Sequence, residues 1–202
     1  MTTSAIDSSL APAFSSALRR LYFVRFAFAV VWAGLLFATS TAAGPVLTAL
    51  VVIYPLFDAA AVLRQLRSPH RAPGARTAEW VNVAVSAIVA IALSVASTVS
   101  VPAALGVWGA WAVGSGIPQL LAAVRQRRSG GQVPQILSGG ISVLAGASFL
   151  AQALQGNGDI VGLAGYATLG GLFFLISAIR LSIVLRKQSD GRGGSRGTSA
   201  TA

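Results

Sequence analysis

The chain has 202 residues, of which 54% are hydrophobic and only 10% are charged. This is more apolar surface than a soluble domain of that length buries in one core, so the composition predicts an all-α membrane protein. The 15 basic residues outnumber the five acidic ones and give a formal net charge of +10. They cluster in short segments between apolar runs, which is typical of membrane-protein loops. We therefore expect the lipid bilayer as a partner and no nucleic acid.

The sequence lacks the residue sets that soluble active sites use. It has no cysteine, which excludes disulfides, thiolate metal sites and cysteine nucleophiles, and its single histidine, His70, falls in a predicted loop. There is no Gly-rich phosphate loop followed by lysine and no Ser–His–Asp set. We expect no enzymatic activity, no metal and no other cofactor, and no motif identifies a small-molecule ligand.

Six apolar stretches are long enough to span a bilayer, which takes about 20 residues. A polar N-terminal segment, residues 1–18, precedes a six-helix transmembrane domain at 19–186, and a basic tail at 187–202 is predicted to be disordered. The predicted helices cover about 20–40, 45–66, 79–98, 101–124, 133–154 and 160–185.

The positions of the basic residues predict the orientation of the chain in the membrane. They lie in the N-terminal segment, the second-to-third loop, the fourth-to-fifth loop and the C-terminal tail, whereas the other three loops have none. Positively charged loops face the cytoplasm, so both termini are predicted to be cytoplasmic. The even number of helices agrees with this orientation.

The six helices also divide into three hairpins with a period of about 60 residues. The second, fourth and sixth helices each end in a basic stretch: Leu63–Arg67, Val124–Arg128 and Val184–Lys187. We therefore expect three tandem helical hairpins, an internal repeat whose units all cross the membrane in the same direction. Transporters more often contain inverted repeats, so a parallel repeat argues against that class without excluding it.

Three charged residues fall at similar depths within the predicted spans. Asp58 lies six residues before Arg64, about 9 Å along a helix axis; Arg180 lies six residues before Arg186, and Arg25 five residues after Arg20. A lone charge in hydrocarbon is costly, so we expect Asp58 to pair with Arg25, Arg180 or both.

Two interpretations of this charge cluster remain open: a buried salt bridge that sets the register of three helices, and a cytoplasm-facing vestibule that binds a proton or a small anion. Four nearby residues are candidate contributors. Tyr54 and Pro55 precede Asp58 on its own helix, and the proline either frees a carbonyl group or only curves the helix. Glu79 is predicted to start the third helix and complement its dipole, with Asn82 one turn deeper.

Small residues predict where helices approach closely. Gly106, Ala110 and Gly114 share one face of the fourth helix, and Ser138, Ser142 and Gly146 share one face of the fifth. These faces predict packing within the chain, or alternatively a homo-oligomer interface. Gln119 and Gln135, near the ends of these two helices, are expected to meet water and lipid headgroups.

The stretches Gly109–Leu120, Ile136–Gly146 and Phe173–Arg180, together with Leu21–Arg25 and Tyr54–Asp58, resemble the HdeD-like bacterial membrane proteins of the actinobacterial type. The resemblance covers about residues 18–186. It implies a short repeated membrane unit of undefined biochemical activity and, from the namesake of the family, a contribution to acid or envelope stress tolerance. The alternative that the residues themselves support is a small proton-coupled or anion transporter or channel that uses Arg25, Asp58 and Arg180.

Overall fold

The computed structural model describes residues 3–40, 44–67, 73–125 and 133–197, and these residues form six α-helices joined by short connections. Each helix contains a segment of 22 to 26 residues that is long and apolar enough to cross a membrane. The expected all-helical protein with six candidate spans is therefore confirmed. The helices are α1 (Thr3–Ala38), α2 (Pro45–Leu66), α3 (Pro73–Val99), α4 (Val101–Arg125), α5 (Val133–Leu154) and α6 (Val161–Gly197).

Local sequence signals explain where several helices begin. Pro45 is the first residue of α2, and Pro102 and Pro134 are the second residues of α4 and α5. Proline is tolerated there because the first backbone N–H groups of a helix have no partner within the helix. Gly44 precedes α2 with φ of 82°, a conformation that glycine adopts without strain. Ser100 caps α4, accepting a hydrogen bond from the backbone N–H of Ala103 at 3.1 Å.

The predicted spans 45–66, 101–124 and 133–154 agree with α2, α4 and α5 to within one residue. The other three helices are longer than their predicted spans, and α6 remains helical as far as Gly197, within the tail that the sequence predicts to be disordered. An established helix extends readily, because each added residue gains a backbone hydrogen bond. The remainder of that tail, 198–202, and the loop with His70 lie outside the described residues.

Three helix pairs have the most extensive contacts: α1 with α6, α2 with α3, and α4 with α5. The helices of each predicted hairpin, α1–α2, α3–α4 and α5–α6, contact each other less. All these pairs are antiparallel, because contacting residue numbers rise along one helix and fall along the other. Because the first and last helices pack against each other, the contact of α1 with α6 closes the bundle. The tandem hairpin repeat stays a prediction from the sequence.

The alternating direction of the helices brings the basic residues together at one end of the bundle. There α2 and α4 end, the apolar spans of α1, α3 and α5 begin, and the span of α6 ends. We call this the basic end, and the other, where the connections contain no basic residue, the opposite end. The basic end carries Arg19, Arg20, Arg64, Arg67, Arg76, Arg125 and Arg186.

The hydrophobic core fills the half of the bundle next to the opposite end. Five fully buried side chains illustrate this, each in the half of its helix that adjoins the opposite end: Leu36, Leu47, Leu93, Leu105 and Leu163. That half also carries an open, largely apolar cavity of about 770 Å³ between the first turns of α2 and the last turns of α3. The half next to the basic end contains most of the polar residues described below.

Glycine residues allow α4 and α5 to approach until their backbones touch. A Cβ atom on Gly109 would lie 2.7 Å from the carbonyl oxygen of Gly146, and one on Gly146 would lie 2.7 Å from the carbonyl oxygen of Gly109. Two turns along, a Cβ atom on Gly116 would lie 3.0 Å from the carbonyl oxygen of Gly139. Any larger residue would separate the helices.

The seam differs from the faces that the sequence predicts for these helices. On α4, Ala110 and Gly114 are exposed, and a Cβ atom on Gly114 would meet nothing within 4 Å. Gly106 does pack, against Ala153. The contact residues on α4 are spaced alternately three and four positions apart, which keeps them on one face over successive turns. They are Gly106, Gly109, Val113, Gly116 and Leu120.

The predicted face of α5 is correct in part. Ser142 and Gly146 are buried, and a Cβ atom on Gly116 would lie 2.8 Å from the Cβ atom of Ser142. Ser138 is half-buried and turns away from the seam. It lines the cavity described below.

Candidate functional site

The site is built around Asp58, which lies two turns from the end of the apolar helix α2. Its carboxylate forms a salt bridge with the guanidinium of Arg25 on α1. The two side chains are 23% and 12% exposed, so both are largely withdrawn from the surface of the bundle. The structure thus selects Arg25 among the pairing alternatives that the sequence left open.

A third helix, α3, provides two more hydrogen bonds to the carboxylate of Asp58. Asn82 on α3 donates from Nδ2 to Oδ2 of Asp58 at 2.9 Å, and Ser86 donates from Oγ to the same atom at 3.2 Å. Each Asp58 oxygen therefore accepts at least one hydrogen bond, which offsets part of the cost of burying the charge. Ser86 is absent from the predicted site, although its spacing of four residues from Asn82 puts both on one face of α3.

The contribution of α6 is an aromatic ring. The guanidinium carbon of Arg25 lies 4.9 Å from the centroid of the Phe174 ring, a cation–π contact, and Tyr22 stacks on that ring with centroids 6.1 Å apart. Arg180 is exposed and forms no salt bridge with Asp58. The predicted depth of Arg180 does not bring it to the site, because six residues beyond Phe174 turn it about 240° around the helix axis.

The other predicted contributors differ in their positions. Tyr54 lies one turn from Asp58 and lines the cavity described next, whereas Pro55 is buried in the bundle. Glu79 is half-buried and is not among the hydrogen-bond partners of Asp58. Because α3 begins at Pro73, Glu79 lies beyond the first turn, and the expected role at the helix dipole is not supported.

The Arg25–Asp58 pair lies in the wall of a cavity of about 440 Å³ to which all six helices contribute, and which we call the central cavity. Besides the ion pair, it is lined by aromatic rings and uncharged polar side chains. Cavities of this size and mixed character are typical of sites for small organic molecules. Its lining includes Tyr22, Tyr54, Gln65, Asn82, Trp111, Ser115, Gln119, Gln135, Ser138, Ser142, Tyr166, Phe173, Phe174 and Ser177.

Three glutamines line the part of the central cavity nearest the basic end. Gln65 lies on the last turn of α2, while Gln119 donates to the backbone carbonyl of Gln135 across the α4–α5 seam at 3.4 Å. The sequence predicts contact with water and headgroups for Gln119, Gln132 and Gln135. The structure places Gln119 and Gln135 in the cavity lining, with Gln135 also exposed, and Gln132 lies outside the described residues. Gln65 is absent from the predicted site. Its sequence signal is that it is one of the few uncharged polar residues in the apolar helix α2.

Aromatic rings separate the central cavity from the packed half of the bundle. Trp111 and Tyr54, both in the cavity wall, are in edge contact at 6.3 Å, and each also contacts Trp108 at 5.4 Å. Trp32 stacks on Trp108 and donates from Nε1 to the carbonyl of Leu50 at 2.6 Å. We call Trp32, Tyr54, Trp108 and Trp111 the aromatic floor.

The aromatic floor contains one unusual group. Trp108 is 0% exposed, and its indole N–H has no hydrogen-bond partner among the residues that the structure describes. A buried donor without a partner is uncommon in folded proteins.

Farther along the wall, the hydroxyls of Ser142 and Tyr166 are hydrogen-bonded at 2.9 Å and connect α5 to α6.

Comparisons with known proteins return no relative for this fold or site: no protein-family model, no curated protein and no solved structure matches the chain. The resemblance to the HdeD-like proteins therefore stays a prediction from the sequence. The described residues also contain no group of three or more His, Asp or Glu side chains placed to hold a metal ion.

Proposed function

We propose that this protein is a non-enzymatic membrane transporter that binds a small solute in the central cavity and couples its passage to a proton on Asp58. The observation that carries the proposal is the position of the Arg25–Asp58 pair in the wall of a cavity of about 440 Å³. An ionisable pair at such a place within a membrane bundle typically marks a substrate or proton pathway.

The alternative interpretation, a purely structural clamp, accounts for less of the site. A clamp needs only to hold its helices in register, and well-packed apolar residues provide that as well as or better than a buried ion pair. It also does not account for the Gln, Ser and Tyr side chains that line the cavity with the pair. Polar groups are retained within a membrane bundle mostly where water or a solute meets them.

In the proposed mechanism, a proton entering the central cavity neutralises Asp58 and ends its ion pair with Arg25. The protonated carboxyl still accepts hydrogen bonds from Asn82 and Ser86, so it stays in place on α2 and α3. Arg25 then has a free positive charge facing the cavity. Loss of the proton restores the pair, and the two states differ in the contacts that connect α1 to α2.

The helix pairs provide the moving parts of this proposal. Contacts within α1–α6, α2–α3 and α4–α5 are extensive, and those between the pairs are sparser. Rigid pairs that shift against each other around a fixed site are a common way to expose that site to alternate sides of a membrane. The aromatic floor closes the central cavity toward the opposite end and is the part that must open.

From the resemblance and the loop charges alone, we further propose the finer assignments. The chain is an HdeD-like protein built as a parallel tandem repeat of three hairpins, it lies in a bacterial inner membrane with both termini in the cytoplasm, and it contributes to acid or envelope stress tolerance. Proton-coupled transport is compatible with that role, because it changes the proton content of the cytoplasm.

Proton flux into liposomes tests the transport proposal. The purified full-length protein is reconstituted with a pH-sensitive dye inside, and a pH gradient is applied with a membrane-impermeant anionic, cationic or zwitterionic solute supplied on the acidic side. The flux of wild type is compared with that of Asp58→Asn for each solute. We expect wild type to dissipate the gradient faster than empty liposomes and Asp58→Asn to match empty liposomes. Arg180→Gln is the control, because it removes an exposed charge away from the site and should leave the flux unchanged.

Two results would contradict transport coupled to Asp58. The first is a wild-type flux no greater than that of empty liposomes. The second is an Asp58→Asn flux equal to wild type. Gel filtration and thermal unfolding of each variant in detergent show whether a lost flux reflects a lost fold.

A further inference from the structure

The charge balance of the central cavity restricts what it binds. Among the described residues, its lining contains one cation, Arg25, and one anion, Asp58, and the other lining residues are uncharged at neutral pH. A cationic solute would leave two positive charges against one carboxylate in a low-dielectric site. A monoanion that enters with one proton keeps the balance: the proton forms an O–H bond on Asp58, and the anion replaces Asp58 as the partner of Arg25.

Hydrogen-bonding capacity distinguishes a monoanion from a zwitterion, which would also keep the charge balance. Oδ2 of Asp58 already accepts from Asn82 and Ser86, and Oδ1 accepts from Arg25, so few acceptor positions remain for an ammonium group. The guanidinium has five N–H donors, and its one hydrogen bond to a described residue is the one from Nη2 to Asp58. At the ion pair, the spare hydrogen-bonding capacity thus lies in the donors of Arg25, which suit an anionic group.

The walls of the cavity indicate the body of the solute. One face of the guanidinium is covered by Phe174, which continues into a stack with Tyr22, and Trp111 with Tyr54 forms an aromatic surface on the floor. Flat apolar groups pack well between aromatic rings. The volume of about 440 Å³ lies toward the small end of the range of about 300–1,000 Å³ for ligand sites.

We propose that the central cavity binds small organic monoanions with a flat apolar body, such as aromatic carboxylates, with the anionic group on Arg25 and one proton taken up by Asp58. This deepens the proposed function, since it names the substrate class of the same site. The guanidinium fork can match both oxygens of a carboxylate, whereas its present contact with Asp58 is one hydrogen bond from Nη2 to Oδ1. Each binding event takes up one anion and one proton and is electroneutral.

The pH dependence of binding rests on Asp58. In the part of the chain that the structure describes, the other titratable side chains that line the cavity are tyrosines: Tyr22 on α1, Tyr54 on α2 and Tyr166 on α6. The lining residues of α3, α4 and α5 include none, and Glu79 lies on α3 outside the lining. Because one proton accompanies each anion, the affinity should fall by about tenfold per pH unit where Asp58 is otherwise ionised.

Calorimetric titration of the purified full-length protein in detergent tests the substrate class. The probes are benzoate, the matched neutral amide benzamide, and benzenesulfonate, which stays ionised at low pH and so separates protonation of the protein from that of the probe. We expect benzoate and benzenesulfonate to bind at acidic pH, to weaken as the pH rises, and to take up one proton from buffer. Benzamide should bind at least about tenfold more weakly, since it carries no charge for Arg25.

Variants give the sharper prediction. In Asp58→Asn the side chain is neutral at every pH, as protonated Asp58 would be. Benzenesulfonate should therefore bind this variant at alkaline pH too, and its affinity should no longer depend on pH. Arg25→Gln should abolish anion binding at every pH, while Arg180→Gln should bind as wild type does. If Asp58→Asn fails to fold, proton uptake by wild type and the benzoate-to-benzamide ratio still decide the matter.

Three results would overturn the assignment. In the first, benzamide binds as tightly as benzoate; in the second, an anion binds without proton uptake. In the third, the zwitterion phenylalanine binds more tightly than benzoate, with the pH dependence that is expected of benzoate. Failure of the substrate class is distinguishable from failure of transport. Binding with proton uptake but no flux into liposomes supports the class and contradicts transport. Proton flux with no binding of either anion contradicts the class and leaves transport standing.

Discussion

At the scale of single residues, the aromatic floor offers a comparison between two tryptophans in the same environment. Trp32 and Trp108 are 2% and 0% exposed and stack on each other with ring centroids 5.4 Å apart. They differ in one respect: Trp32 donates a hydrogen bond to the carbonyl of Leu50, and Trp108 donates none to a described residue. Substitution by phenylalanine removes a similar volume at both positions but a hydrogen bond at only one.

We therefore expect Trp32→Phe to lower the free energy of unfolding more than Trp108→Phe, by about 1 kcal/mol, the net value of a typical hydrogen bond. Removing the N–H of Trp108 also relieves a buried donor of its desolvation cost, which acts in the same direction. Chemical unfolding of both variants in the same detergent measures the difference. Equal losses, or a larger loss for Trp108→Phe, would show that Trp108 has a partner such as bound water.

At the scale of helices, the close contact of α4 with α5 depends on which glycines face the seam between them. A methyl group added to Gly109 would lie within 3 Å of the backbone of Gly146 and Leu150, whereas one added to Gly114 would meet nothing within 4 Å. The two positions share a helix and a residue type. They differ only in the face on which they lie.

Alanine should consequently have opposite effects at these two positions. We expect Gly109→Ala to destabilise the protein by about 1–3 kcal/mol, because α4 and α5 must separate to accommodate the methyl group. Gly114→Ala should be neutral or stabilising by up to about 1 kcal/mol, because alanine favours a helix more than glycine. Thermal unfolding in detergent measures both. A similar loss at both positions would mean that Gly114 also packs against something, such as a second copy of the chain.

The sequence predicts the elements better than their faces. Apolar length and flanking turns are one-dimensional signals, and they locate α2, α4 and α5 to within one residue. Counting residues likewise places Asp58 and Arg25 at a common depth, where they form a salt bridge. Rotation about the helix axis is harder, because lipid and protein interior are both apolar and hydrophobic periodicity does not distinguish them.

That ambiguity accounts for the predictions that the structure does not support. The residue that faces Arg25 from α6 is Phe174, and Arg180 lies six residues beyond it, about 9 Å along the axis and on another face. On α4, Ala110 and Gly114 satisfy the small-residue spacing but lie on the exposed face. The hydrogen bond of Ser86 to Asp58 depends on which face of α3 meets α2, and that face is decided by tertiary packing.

At the scale of the whole molecule, the two halves of the bundle differ in what they contain. Leucine-rich packing occupies the half next to the opposite end, and the central cavity with its three glutamines occupies the half next to the basic end. Because the aromatic floor lies between the central cavity and the opposite end, we expect a solute to reach Arg25 and Asp58 from the basic end in this conformation. Which compartment that is depends on the orientation of the chain, which the loop charges predict and a labelling experiment can determine.

The natural absence of cysteine makes single-cysteine labelling direct. Thr77 and Asn157 are exposed residues near the basic end and at the opposite end, respectively. Because basic loops stay in the cytoplasm, we expect a membrane-impermeant maleimide to label Asn157→Cys in intact cells and Thr77→Cys only after permeabilisation. The unmodified chain is the control for background labelling. The reverse pattern would place the basic end outside the cytoplasm, and the central cavity of this conformation would then accept its solute and proton from the outside.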